Sequence, residues 1–282
     1  MQENWVSEKF YPDYETRYRV RQVLYSEKTD FQDMQLVETE RFGKMLLLDG
    51  IVQTTEADEF IYHEMMAHVP LCIHPHPERV LIIGGGDGGI LREVLRHPSV
   101  QKATMVEIDQ KVIDFSKKHL PEISDGAFDS EKAEIVIDDG AQFVEQTSEQ
   151  FDVAIVDSPD PVGPARVLFS QKFYGNIHRI LTDEGLMSRQ TGSTFTQAEE
   201  QRECMAQMRD IFAHNALYTF AVPTYVGGLF SAMLSSRVID PLAVSLEKLQ
   251  TRAATIQGPL RYYNPGVHFG AFQIPEYVKG NL

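Results

Sequence analysis

Cysteine is scarce in this chain of 282 residues, and no long apolar run is present. The two cysteines, Cys72 and Cys204, are far apart and do not form a CxxC pair, which argues against a disulfide framework and a cysteine-rich metal site. Nowhere do about 18 apolar residues follow one another, and the N-terminal segment mixes charged with apolar residues. We therefore expect a cytoplasmic protein without a membrane partner.

Basic residues are also few, since 26 Lys and Arg stand against 41 Asp and Glu, a formal net charge of −15. This balance argues against nucleic acid or an anionic membrane surface as a partner. It favours a cationic small molecule, although many acidic proteins are simply soluble. The charge therefore gains meaning only if the acids gather at one site.

The N-terminal region has the pattern of β-hairpins. Residues 17–55 contain short alternating apolar runs, which are broken by a Phe-Gly pair at 42–43 and an Asp-Gly pair at 49–50. We predict a small β domain over residues 1–57.

The remainder, residues 58–282, has the pattern of a second, larger α/β domain. Residues 58–71 place apolar groups at helical spacing up to about Pro70, which predicts a linking helix. From residue 79, apolar runs alternate with helix-length segments, as in βα units around a parallel sheet. The last two apolar runs, LYTFAVPTY and GLFSAMLSS, are too close for a crossover and should be antiparallel. We predict a Rossmann-like doubly wound sheet of the class I methyltransferase type, with an antiparallel final hairpin.

A glycine-rich loop, GGGDGG at 84–89, follows the first strand of this domain and precedes a helix. Ligands bind at that edge of such sheets. The loop also fits the dinucleotide pattern GxGxxG, with Glu107 near the offset of a ribose-binding acid. Asp87 argues against this alternative, because its carboxylate would repel a pyrophosphate and attract a sulfonium or an ammonium. The sequence favours a cationic nucleoside as ligand.

Acidic residues also end the next two strands. Glu107 can accept two hydrogen bonds from a ribose diol, with Asp109 as its support. At the third strand end, Asp138 and Asp139 offer acceptors for an adenine amino group, and Gly140 leaves room for the ring. Each acid alone is equally well explained as a helix N-cap. Three consecutive strand ends of this kind favour a binding site.

The fourth strand ends in DSPDPVGP, which carries Asp157 and Asp160. An Asx turn at Asp160 is one explanation. A paired-carboxylate site is another, and it is what amine alkylation requires. A diamine arrives as ammonium ions without a free lone pair, so one acid must remove a proton while another holds the remaining charge.

Taken together, GGGDGG, MVEID, DSPDPVGP, the upstream QTTE and DEFIYHEM segments and the downstream PTY resemble spermidine synthases, from about Tyr25 to Tyr277. The resemblance implies transfer of the aminopropyl group of decarboxylated S-adenosylmethionine to putrescine, giving spermidine and 5′-methylthioadenosine. The nucleoside would be a co-substrate, with no cofactor and no metal ion. The partners would be these small molecules and further copies of the chain, in a homodimer or homotetramer formed through the N-terminal strands.

The resemblance also implies roles for individual residues. Asp157 would accept the proton of the attacking amine. The donor would be bound by Gln32, Asp87, Glu107, Asp139, Gly140 and Pro164. The amine would be bound by Tyr62, His63, Asp87, Asp157, Ser158, Pro159, Asp160, Gln190 and Tyr225. For His63 and Tyr225, packing at the domain interface is the alternative.

The segment from Ser158 to about Leu168 resembles the family's gatekeeping loop, with two departures. Pro159 stands where the family usually has Ser or Thr, and Arg166 stands where an acidic residue is common. Pro159 removes a backbone donor and stiffens the loop. Neither change touches the two carboxylates, so they bear on loop closure and amine choice and leave the expected reaction class unchanged.

Three other functions are alternatives to this one. A methyltransferase that uses S-adenosylmethionine would have to tolerate the donor's carboxylate, against which Asp87 argues. An NAD-dependent dehydrogenase leaves the DSPDP segment unexplained. An inactive polyamine-binding protein would not need both Asp157 and Asp160. The choice among putrescine, cadaverine, agmatine and longer amines stays open at this point.

Overall fold

The structure, a computed structural model, describes residues 4–158 and 167–280. Its elements form a five-stranded sheet, a seven-stranded sheet and the helices around the latter. In chain order they are β1 (Asn4–Tyr11), β2 (Tyr14–Lys28), β3 (Asp33–Thr39), β4 (Gly43–Leu48), β5 (Ile51–Thr55), α1 (Glu59–Ile73), β6 (Arg79–Gly84), α2 (Gly89–Leu95), β7 (Lys102–Glu107), α3 (Gln110–His119), α4 (Pro121–Ser124), β8 (Ala133–Ile137), α5 (Gly140–Gln146), β9 (Phe151–Asp157), α6 (Gln171–Ile180), β10 (Leu181–Ser193), α7 (Ala198–Arg209), β11 (His214–Ala221), β12 (Leu229–Ser236), α8 (Leu246–Ala253), α9 (Pro265–Ala271) and α10 (Glu276–Lys279).

The N-terminal sheet is antiparallel throughout, in the order β1-β2-β3-β4-β5. The predicted hairpin turns are confirmed, and at the second one both Asp49 and Gly50 have positive φ, as a tight two-residue hairpin turn requires. Strand β1 was missed by the pattern analysis. Its one fully buried side chain is a glutamate, Glu8, so the strand shows no apolar alternation.

The linking helix α1 is buried on nearly every side, which is why its sequence shows no polar face. It runs three residues beyond Pro70, where the sequence predicted its end. Proline removes its own donor, but the Pro70 carbonyl still accepts a bond from the His74 N–H, so the last turn closes normally. Among the described residues, no helix is both long and apolar enough to cross a bilayer.

The seven-stranded sheet has the order β11-β12-β10-β9-β6-β7-β8. Strands β10, β9, β6, β7 and β8 pair in parallel, whereas β12 is antiparallel to both neighbours, which confirms the predicted final hairpin. The chain leaves β6 for β7 on one side, and β9 lies on the other side of β6. Such a reversal of strand order is where α/β sheets bind ligands.

Gly84 shows how closely the two central strands approach at this point. It pairs with Asp157, has φ of +84°, and an added Cβ would lie 2.0 Å from the Asp157 carbonyl oxygen. Only glycine fits both constraints. The glycine-rich loop therefore leaves the sheet directly beside Asp157.

Candidate active site

Asp157 ends β9 and accepts a hydrogen bond from the Tyr62 hydroxyl, which α1 brings to the same sheet edge. Burial raises the pKa of the Asp157 carboxyl to about 6, an effect that the Tyr62 bond opposes and the nearby Asp87 adds to. A carboxyl group with such a pKa is ionised at neutral pH and is a stronger base than an exposed aspartate. The geometry therefore places a carboxylate of raised basicity at the switch point.

Asp87 lies in the glycine-rich loop, and neighbouring N–H groups hold both of its oxygens. Oδ1 accepts the Gly89 N–H at 2.9 Å, and Oδ2 lies 3.2 Å from Nε2 of His63. Burial opposes the charge of Asp87, but His63 and the Gly89 bond outweigh it, so its pKa is lowered. Asp87 is thus a fixed negative charge near Asp157.

His63 bridges Asp87 and a second carboxylate. Its Nδ1 lies 2.6 Å from Oε2 of Glu59, one helical turn earlier. Burial disfavours the charged ring, but Asp87 and Glu59 together outweigh it and raise the pKa of His63 to about 10. The ring is therefore an imidazolium at neutral pH, and both of its N–H groups are already donated.

Glu107 ends β7 on the other side of the loop. Its Oε1 accepts the Asp109 N–H at 3.0 Å, and burial raises its pKa to about 7. Gln32 approaches from the N-terminal sheet, where its Nε2 lies 3.4 Å from Oδ2 of Asp109. The Thr29 hydroxyl donates to the same oxygen at 2.8 Å. The two domains thus meet beside Glu107.

Asp139 has the geometry of a helix N-cap, the alternative that its sequence position left open. Its Oδ1 accepts the N–H groups of Ala141 at 2.7 Å and Gln142 at 3.2 Å. Gly140 is required by the sheet itself, because an added Cβ would lie 2.5 Å from the Ile83 side chain. Capping occupies one oxygen of Asp139 and leaves its other oxygen outside these bonds.

Two aromatic rings pack against the ring of Tyr62. The ring centroid of Tyr225 lies 5.5 Å away and that of Phe230 5.9 Å away, both edge-on. The Tyr225 hydroxyl donates to the Gln53 carbonyl of the N-terminal domain at 2.8 Å. Tyr225 therefore packs at the domain interface, as one of the two explanations from the sequence predicted. Its ring also contacts the ring of Tyr62.

Gln190 connects the ends of β9 and β10. Its Nε2 donates to the Ser158 carbonyl at 2.8 Å, and its Oε1 accepts the Gly192 N–H at 2.9 Å. Ser158 itself is buried. The Gln190 amide thus ties the residue that follows Asp157 to β10.

Part of the predicted site lies outside the described residues. This concerns Pro159, Asp160, Pro164 and Arg166, together with most of the predicted gatekeeping loop.

Comparison with known proteins decides the family. Residues 59–242 match the family model described as the spermine/spermidine synthase domain, and residues 4–56 match the spermidine synthase tetramerisation domain. The chain belongs to the spermine/spermidine synthase family. It is an enzyme of the aminopropyltransferase class, as the sequence predicted.

Relatives of this family match the chain over almost its whole length. The polyamine aminopropyltransferases of Caldicellulosiruptor saccharolyticus and Ruegeria sp. are each 46% identical over 277 residues, covering 98% of this chain and 97% and 98% of theirs. A crystal structure of spermidine synthase in complex with the transition state analogue AdoDATO superposes with a TM-score of 0.94 at 38% identity, covering 100% of this chain and 95% of the other. Spermidine synthase from Thermotoga maritima gives 0.91 at 37% identity, with coverage of 100% and 94%.

Two charged residues beside the spermidine synthase site were missed from the sequence. Glu59 contacts His63, and Arg92 donates to Glu59 at 2.9 Å from α2. The spacing of Glu59 and His63 was a usable signal, because residues four apart share a helix face. Nothing local to the sequence indicates Arg92, whose contact depends on the packing of α1 against α2.

Arg189, next to Gln190, was also missed. Its side chain is fully buried, stacks on the ring of Phe169 at 3.8 Å, and donates to the Leu168 carbonyl at 2.9 Å and to the Tyr174 hydroxyl. It thereby fixes the residues that follow the undescribed segment 159–166. The sequence offered no clear signal for it, because Arg189 stands among the polar residues of SRQTGS.

Proposed function

We propose that this enzyme transfers the aminopropyl group of decarboxylated S-adenosylmethionine to putrescine, giving spermidine and 5′-methylthioadenosine. The observation that supports this most is Asp157, a carboxyl group with a pKa of about 6 that is held by Tyr62 beside the negative charge of Asp87. Such a pair suits two cationic substrates, one of which must lose a proton.

On the donor side, we assign Asp87 to the ammonium group of the aminopropyl chain and Glu107 to the ribose hydroxyls. Burial raises the pKa of Glu107, and hydrogen bonds from a bound diol would favour its ionised form. Completion of the donor site by Gln32, Asp139, Gly140 and Pro164 rests on the family resemblance.

On the acceptor side, we assign Asp157 as the base and the rings of Tyr62 and Tyr225 as walls of the amine channel. Their aromatic faces attract cations. Contributions of Ser158, Pro159, Asp160 and Gln190 stay predictions from the family resemblance.

The chemistry asks little more of the protein than alignment and proton removal. The sulfonium makes the neighbouring aminopropyl carbon electrophilic, and 5′-methylthioadenosine leaves as a neutral thioether. Asp157 takes a proton from the ammonium group at the attacking end of the diamine, and the neutral nitrogen then attacks in line, forming the C–N bond as the C–S bond breaks. We propose that no cofactor or metal ion takes part.

We also propose that the chain forms a homodimer or homotetramer through its N-terminal strands. The match of residues 4–56 to a tetramerisation domain supports this. So do the apolar side chains exposed on β1 and β2, namely Trp5, Val23 and Leu24.

The pH dependence of kcat/KM should follow the protonation of Asp157. Since its raised pKa leaves it protonated below about pH 6, kcat/KM for putrescine should fall roughly tenfold per pH unit on the acid side of that value. The measurement is a pH profile at saturating donor. In Tyr62→Phe, loss of the hydrogen bond that lowers the Asp157 pKa should move this limb to higher pH. An identical acid limb in both proteins would contradict the role of Asp157.

Putrescine should be the preferred acceptor, followed by cadaverine and then spermidine. Once the attacking end is held at Asp157, the distal ammonium must reach a partner at a fixed distance. One added methylene typically changes kcat/KM by roughly 10–200-fold in a shaped pocket. The test is competition among equal concentrations of these amines and agmatine, with products identified by mass spectrometry. If agmatine or spermidine is consumed first, the putrescine assignment is wrong and the reaction class stands.

A further inference from the structure

A buried row of alternating charges leads from Asp87 away from the reacting groups. It runs from Asp87 through His63 to Glu59 and on to Arg92, over contacts of 3.2, 2.6 and 2.9 Å. The side chains of the last three are no more than 9% exposed. The mechanism described above uses only Asp87.

The backbone at Gly89 leaves room for the His63 ring. Gly89 begins α2, and an added Cβ there would lie 2.1 Å from Nδ1 of His63. The same residue donates its N–H to Asp87. His63 and the Gly89 N–H therefore contact the Asp87 carboxylate from two sides, which fixes its orientation.

The far end of the row is anchored as well. Arg92 also donates to Glu93 at 2.6 Å and to the Ile123 carbonyl, so its position does not depend on Glu59 alone. Two positive and two negative groups alternate, so each buried charge has a partner of opposite sign. In such a row the orientation of each group depends on the next.

His63 is poorly suited to bind an amine directly. Both ring nitrogens already contact carboxylates, so no lone pair faces an incoming ammonium. A charged ring would also repel that ammonium.

We propose that His63, held by Glu59 and Arg92, is a positioning residue that orients Asp87 toward the ammonium group of the donor and does not bind the acceptor amine. This inference rests on the proposed function, because it takes the Asp87 ligand to be the aminopropyl ammonium of decarboxylated S-adenosylmethionine.

The test is calorimetric binding of two nucleosides to the full chain. In His63→Gln and in the nearly isosteric Glu59→Gln, affinity for decarboxylated S-adenosylmethionine should fall on the order of tenfold, as for loss of a charge-assisted hydrogen bond. Affinity for 5′-methylthioadenosine should stay unchanged, because it lacks the ammonium that Asp87 would hold. The matched control is His268→Gln, at a buried histidine that contacts the Tyr263 hydroxyl, where both affinities should stay normal.

A double-mutant cycle checks that the effect passes through Asp87. In an Asp87→Asn background, His63→Gln should produce no further loss of donor affinity. Equal weakening of both nucleosides in His63→Gln and Glu59→Gln would overturn the inference in favour of a merely structural role. An unchanged donor affinity with a raised KM for putrescine would overturn it in favour of direct amine contact. A wild-type protein that binds 5′-methylthioadenosine but not decarboxylated S-adenosylmethionine would instead refute the proposed function, and the inference with it.

Discussion

Asp157→Asn should lower kcat by at least about a hundredfold while affinity for decarboxylated S-adenosylmethionine stays near normal. Asparagine keeps the size of the side chain and still accepts the Tyr62 hydrogen bond, but it cannot take a proton. Steady-state kinetics and donor titration on the same preparation separate the two quantities.

The matched control for this change is Asp152→Asn, at the opposite end of the same strand. Asp152 accepts the N–H groups of Glu78 and Arg79, away from the sheet edge that carries the site. It should leave kcat unchanged. Near-normal turnover in Asp157→Asn would remove the proton acceptor from the mechanism, whereas a parallel loss of donor affinity would show that the change had disturbed the pocket as a whole.

The main features of this site follow from the sequence because they depend on strand ends. Parallel strands bring their carboxyl ends to one edge, so Asp87, Glu107 and Asp157 were expected together before any coordinates. That β6 and β9 are neighbours is a finding of the structure, and at Gly84 their backbones approach so closely that no other residue fits.

The role of each acid was harder to predict from the sequence. A carboxylate that caps a helix and one that binds a ligand occupy the same position after a strand, so sequence spacing does not separate them. The structure separates the two roles, since Asp109 and Asp139 cap α3 and α5 whereas Glu107 has no capping bond. Capping does not exclude ligand binding, because a carboxylate has two oxygens, and donor binding by Asp139 stays a prediction.

The individual hydrogen bonds between distant elements could not be predicted from the sequence. The bond from Tyr225 to Gln53 and the bridge from His63 to Asp87 join segments that are far apart in the chain. They depend on how α1 lies against the loop and the N-terminal sheet. Local periodicity carries no information on that packing, and in α1 even the periodicity is weak because nearly every side chain is buried.

Decarboxylated S-adenosylmethionine should bind at least about a hundredfold more tightly than S-adenosylmethionine itself. The intact nucleoside carries an additional carboxylate on the chain that the proposed function places against Asp87. Asp87 is ionised because His63 and the Gly89 N–H lower its pKa against the effect of burial, and Asp157 is ionised at neutral pH. A third negative charge in this space would cost several kcal/mol, so the selection works through repulsion.

Two variants test whether that repulsion comes from Asp87. Asp87→Asn should reduce the difference in affinity between the two nucleosides, because it removes one repelling charge for the intact nucleoside and one attractive partner for the decarboxylated one. Glu107→Gln should weaken both nucleosides to a similar extent, since the ribose assigned to Glu107 is common to them. Calorimetry on the three proteins measures all six affinities. Equal affinity of the wild-type protein for the two nucleosides would contradict charge-based selection. If the difference in affinity between the two nucleosides is unchanged in Asp87→Asn, the selection comes from another residue, because a repulsion exerted by Asp87 must weaken once its charge is gone.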